Sequence, residues 1–144
     1  MIILDTNVLS EVVKPQPSAE VLRWLAAHPP DQLFITTITQ AEILYGLELL
    51  AKGKRRTALM AAVDAMFDED FAGRILPFDM EAARAFARIA ADRRASGRPV
   101  SQFDAQIAAI ARSHGAAVAT RNPQDFEDCG IKVLNPWSAA PRLK

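Results

Sequence analysis

The sequence predicts an α/β fold, one central parallel sheet of four to five strands with helices on both faces. Three observations predict it. Short apolar runs at residues 1–5, 33–38, 74–78, 116–120 and 131–134 alternate with longer stretches of helical period. The first run, Met-Ile-Ile-Leu, is apolar on every position, as in a strand buried on both faces of a parallel sheet. No Gly/Ser-rich or charged linker divides the chain, so residues 1–144 read as a single domain of ordinary size.

The elements follow in order. Residues 1–5 form a strand that ends on Asp5, and a helix starts near Thr6. Pro15 and Pro17 break the chain, and Ser18 is suited to cap the next helix. That helix carries Val21, Leu22, Trp24 and Leu25 and stops at His28-Pro29-Pro30. Residues 33–38 form the second strand. Thr39 opens a helix with Ile43, Leu44, Leu47 and Leu50 on one face, which Gly53 closes. Residues 54–67 are helical, with Leu59, Met60, Val63 and Met66 or Phe67 inward. A short strand at 74–78 leads to Asp79, the cap of a long helix carrying Ala83, Phe86, Ala87 and Ile89. Ser101 opens a further helix with Phe103, Ile107 and Ile110, closed by Gly115. After the strand at 116–120, Asn122-Pro123 starts a short helix, with Asn as cap and Pro at its first position. The last strand spans 131–134.

Composition narrows the function. Lys and Arg number 17, as do Asp and Glu, so no net positive charge coats the protein for nucleic acid. Cys129 is the only cysteine, which excludes an internal disulfide and fits a reducing cytoplasm. No signal peptide and no membrane span are expected, because no apolar stretch approaches the roughly 18 residues a span needs.

The acids carry the chemistry. In open α/β sheets ligands bind beyond the carboxyl ends of the strands. Asp5 ends the first strand, Glu42 follows the second, and Asn122 and Asp125 follow the strand at 116–120. Asp104 lies in the first turn of its helix, and pattern alone does not place it relative to the sheet. Each has a structural alternative. Thr39-Gln40-Ala41-Glu42 and Ser101-Gln102-Phe103-Asp104 both have the form of a capping box. Asp5 resists that reading, since a carboxylate beside a buried strand needs a partner. If the acids meet, their mutual repulsion calls for a hard divalent cation. Mg²⁺ or Mn²⁺ prefers oxygen ligands, and one such ion, or two about 4 Å apart, serves phosphoester hydrolysis.

The stretches MIILDTNVLSE, TTITQAEILYGLELL, RILPFD, FDAQIAAIARSHG and VATRNPQDFEDCGIKVLNPW together resemble the PIN-domain family. They are similar above all to its VapC and FitB-type toxins of bacterial toxin–antitoxin pairs. The resemblance runs in order along nearly the whole chain. It implies that Asp5, Glu42 and Asp104 hold a catalytic Mg²⁺ or Mn²⁺, with Thr6, Asn7, Thr120 and Asp125 in support. Where the family often has a fourth acid, this chain has Asn122, which puts a tightly held second metal in doubt and leaves Asp125 to supply the charge. Arg121 is the basic residue expected to touch substrate. The resemblance further implies endoribonuclease activity on RNA, a homodimer, a small antitoxin as inhibitor, and a larger assembly on operator DNA through that antitoxin.

The rest reads structurally. Lys52 to Arg56, and Arg84, Arg88, Arg93, Arg94 and Arg98, read as solvated faces. His28 and His114 sit at helix C-termini, where an imidazolium is favourable. Trp24 and Trp137 read as packing residues. Cys129 has no partners for zinc. Two other functions compete. A phosphatase using Asp5 as nucleophile would need a second Asp where Asn7 stands. A domain that only binds its antitoxin or nucleic acid is kept open by Asn122.

Overall fold

The computed structural model describes residues 1–138. Five strands, β1 (Ile2–Leu4), β2 (Leu33–Thr36), β3 (Ile75–Leu76), β4 (Ala117–Ala119) and β5 (Val133–Leu134), form one sheet in the order β3-β2-β1-β4-β5. All four pairings are parallel. The chain builds outward from β1 through β2 to β3, then returns to the other side of β1 to lay down β4 and β5. The direction reverses between β1 and β4, which is where an open α/β sheet leaves a crevice at its carboxyl edge.

Alternation along the strands feeds two cores. Leu4, Leu33, Ile35 and Ala119 face one layer, with α1 (Thr6–Val12), α2 (Ala19–Ala26), α3 (Thr37–Glu48) and α4 (Lys54–Ala65). Ile3 and Val118 face the other, with α5 (Met80–Ala95) and α6 (Gln102–His114). Registering Ile2 with Leu33 and Ile3 with Phe34 keeps like faces together. The period of two therefore satisfies both layers at once, and full burial of a side chain such as Ile3 contributes about 1.5–3 kcal/mol. Among the described residues no helix is long and apolar enough to cross a membrane.

Several elements differ from the sequence reading in ways that matter for the site. The second strand ends at Thr36, whose hydroxyl accepts from the Thr39 amide at 3.1 Å and starts α3 two residues before Thr39. Gly53 does not close α3, which ends at Glu48; it precedes α4 instead. The run after Asn122 is a single 3₁₀ turn (Pro123–Phe126), and the Asn122 side chain does not cap it. Phe103 points outward and is 52% exposed, because the buried stripe of α6 begins at Ala105. Arg93 is not on a solvated face: it is only 5% exposed. Its guanidinium donates to the carbonyls of Arg98 (2.7 Å), Asp125 (3.2 Å) and Glu127 (2.9 Å). A charged fork so placed satisfies loop carbonyls that no secondary structure reaches. It ties the loop after β4 to the α5–α6 hairpin. His28 does sit at its helix end, its Nδ1–H donating to the Trp24 carbonyl at 2.8 Å.

Candidate active site

Asp5 sits at the crevice because β1 ends there. Its amide donates to Ala119 O at 2.9 Å, completing the β1–β4 ladder, while its side chain turns to cap α1. Oδ1 accepts from the Thr6 amide at 2.8 Å, and Oδ2 accepts from the Thr120 hydroxyl at 2.7 Å. Asp5 is thereby buried with both carboxylate oxygens oriented. Burial still dominates: it pushes the carboxyl from the usual 3.8 up to about 6, against the two hydrogen bonds, and the charges of Asp104 and Glu42 push the same way.

Glu42 is the sixth residue of α3, since the helix begins at Thr37, and so it cannot serve as a capping group for Thr39. Its Oε1 accepts instead from the Thr6 hydroxyl at 2.6 Å, and that hydroxyl also shares a 2.9 Å hydrogen bond with the Thr39 hydroxyl. Thr6 thus joins the start of α1 to α3. Burial raises the Glu42 carboxyl, the Thr6 bond lowers it, and Asp104 raises it again. Asp104 is the third residue of α6, whose cap Ser101 accepts from its amide at 3.2 Å. Its carboxyl is raised by burial first; Ser101 and Arg93 lower it and Asp125 raises it.

Thr120 is the hub beneath these acids. Fully buried, it donates to Asp5 and accepts from the Asn122 amide at 3.1 Å and from Asn7 Nδ2 at 3.4 Å. Asn7 Oδ1 in turn accepts from the Arg121 amide at 3.2 Å. One cleft of about 410 Å³ is lined by Asp5, Glu42 and Asp104 together with Thr6, Asn7, Asn122, Asp125 and Arg121. Residues from positions 5 to 125 therefore share one pocket at the reversal point of the sheet.

The donor set is made of hard oxygens, and each of the three acids carries a charge that its surroundings disfavour. That is the chemistry a divalent cation relieves. Among the described residues, however, no three His, Cys, Asp or Glu side chains form a group that could hold a metal ion as they stand. The two facts agree for an ion of the Mg²⁺ type, which keeps several waters and takes only one or two carboxylates directly.

Sequence reasoning passed over part of the cleft. Ser10, Glu11, Lys14 and Trp137 also line it. Glu11 is buried and lies low in its carboxylate range, held by Lys14 Nζ at 2.9 Å and by the Ser18 amide at 2.8 Å. The signal was present. Asn7, Ser10, Glu11 and Lys14 are spaced three and four from one another, the first three on one face of the first helix and Lys14 just past its end. Trp137 carried no local signal of this kind.

The chain matches the PIN domain family model over residues 2–131. It is 41% identical to VapC ribonuclease Y4jK of Sinorhizobium fredii, over 97% of this chain and all of that protein. It is 39% identical to Toxin FitB of Neisseria gonorrhoeae, over 95% of this chain and 99% of that one. The structure of FitAB bound to an IR36 DNA fragment superposes with a TM-score of 0.92 at 37% identity, covering 99% of both chains. With the fold, the cleft and the sequence in agreement, the chain belongs to the PIN-domain family, and its relatives there are of the VapC and FitB type.

Proposed function

We propose that this protein is an endoribonuclease, the toxin of a toxin–antitoxin pair, which hydrolyses RNA phosphodiester bonds in the carboxylate cleft with Mg²⁺ or Mn²⁺. The observation that carries the reading is the convergence of Asp5, Glu42 and Asp104, each with a raised carboxyl, on one cleft at the sheet's reversal point. Similarity to a VapC ribonuclease and to Toxin FitB supports the activity and the toxin role. Likeness to FitAB on DNA supports a small protein partner and an assembly on operator DNA. A cytoplasmic homodimer belongs to the same reading, with exposed apolar side chains such as Tyr45 and Leu49 available for self-association.

Asp5, Glu42 and Asp104 are the residues that would hold the cation, one or two of them directly and the rest through its waters. When bound, it supplies Lewis-acid polarisation of a phosphate oxygen and positive charge where negative charge develops. The chain's own groups do the positioning. Thr120 and the Thr6 amide fix both oxygens of Asp5, and the Thr6 hydroxyl fixes Glu42, so neither carboxylate must reorganise during reaction. Asn122, on the same cleft, offers a carbonyl or amide to an attacking water without adding charge.

Incubating total RNA with the protein in Mn²⁺ or in EDTA, then mapping the cut ends, tests the reading. Discrete cuts that need the cation and vanish in Asp104→Asn are expected. Identical RNA profiles for wild type and Asp104→Asn would overturn it. They would favour the second reading, a PIN domain that binds its partner or nucleic acid without cutting, for which Asn122 at the fourth position argues.

A further inference from the structure

The cleft holds one basic group without a hydrogen-bonded partner among the described residues, its charge reaching only as far as Glu11. The guanidinium of Arg121 lies over the Trp137 ring, its carbon 4.9 Å from the ring centroid. Its backbone amide is tied to Asn7 Oδ1, one hydrogen bond away from the Thr120 hub. Among the described residues its guanidinium makes no ion pair and no hydrogen bond, whereas the neighbouring cation Lys14 is taken up by Glu11. An exposed arginine ordinarily samples many rotamers, and that freedom is lost again when it binds. Stacking on an indole removes part of it in advance and leaves the N–H edge free, the geometry that recognises a phosphate.

The size of the site restricts what reaches that edge. The cleft is a groove open to solvent, of about 410 Å³, with Asp5 at 5% exposure, the size of a small-molecule unit. A nucleotide of an unpaired strand fits that description.

Building on the nuclease reading, we infer that Arg121, stacked on Trp137, grips the phosphate adjacent to the one being cut in a single-stranded RNA. Arg121 is a substrate-positioning residue, and Trp137 positions it. The chain reaches this arrangement from two sides: Arg121 follows β4, and Trp137 follows β5, its amide donating to Asn135 Oδ1 at 2.9 Å.

The test is the affinity of a short fluorescein-labelled single-stranded RNA, read by anisotropy in EDTA over a salt series. Arg121→Ala is expected to weaken binding about tenfold, as for loss of a charged hydrogen bond. It should also reduce the slope of log affinity against log salt by about 0.7, one phosphate on a single strand. Arg121→Lys and Trp137→Leu should each weaken binding about two- to fivefold, the scale of an exposed cation–π contact. Trp137→Leu should add nothing in the Arg121→Ala background, and annealing the complement should erase the Arg121 effect. With cleavable RNA and Mn²⁺ the change falls on KM and spares kcat. An unchanged affinity and salt slope in Arg121→Ala would overturn the inference. So would Trp137→Leu weakening binding equally with and without Arg121. Should Trp137→Leu fail to fold, Arg121→Lys decides the stacking claim, and wild-type affinity there refutes it. A wild type that binds the RNA but never cuts it would sink the nuclease reading while these affinities still decide the subsite.

Discussion

Replacing Asp5 by Asn should make the cation-free protein more stable. Burial holds this carboxyl at about 6 in the folded state against the usual 3.8. At about 1.4 kcal/mol per tenfold, that gap corresponds to roughly 3 kcal/mol against the charged form at neutral pH. Asn keeps the shape and an oxygen for the Thr6 amide. It loses the acceptor for the Thr120 hydroxyl, at 2.7 Å, which costs about 1 kcal/mol. The net gain is about 2 kcal/mol, or roughly 4–8 °C in Tm for a chain of this size. The pH dependence separates this from a packing effect. A carboxyl raised in the folded state contributes stability that is fully present below pH 3.8 and is lost as pH rises through about 6. The Asn variant has no such group. Its advantage over wild type, measured by calorimetry in EDTA, should be absent near pH 4 and complete by pH 7.5. Saturating Mg²⁺ should close the gap from the other side by stabilising the wild type alone. An Asn variant less stable than wild type at every pH, or an advantage that does not grow between pH 4 and 7.5, would refute the view of Asp5 as a charge held against its preference.

Two further outcomes follow from the same network. Arg93→Met should destabilise the fold by about 3 kcal/mol in urea melts, because three loop carbonyls lose their common donor. Thr120→Val, nearly isosteric at a fully buried site, should cost about 1–3 kcal/mol and raise the Asp5 carboxyl further; an NMR pH titration of Asp5 would read the shift directly.

Much of this protein was legible in the sequence because the signals are local. An all-apolar run ending on an acid marks β1, and Ser18, Asp79 and Ser101 cap the helices they precede. Gly115 ends α6 in the left-handed conformation, with φ at 64°. The candidate acids were visible too, each beside a strand end or a helix start. One reading was misjudged for a local reason as well. Thr36 and Thr39 are both plausible caps by type, and only the strand's actual end chooses between them; that choice removes the capping alternative for Glu42.

Tertiary structure decided the rest. Whether Asp104 reaches Asp5 depends on how the α5–α6 hairpin returns across the sheet, over about a hundred residues of separation, and no short-range pattern encodes that distance. The burial of Arg93 has the same origin. An arginine on a helix looks solvated until the loop it must satisfy folds over it. Trp137 packs against the core as its type suggests, and only β5 brings it under Arg121 as well. Residue type and spacing declare what a side chain can do, and the crossover connections of the sheet determine which of those side chains share the same cleft.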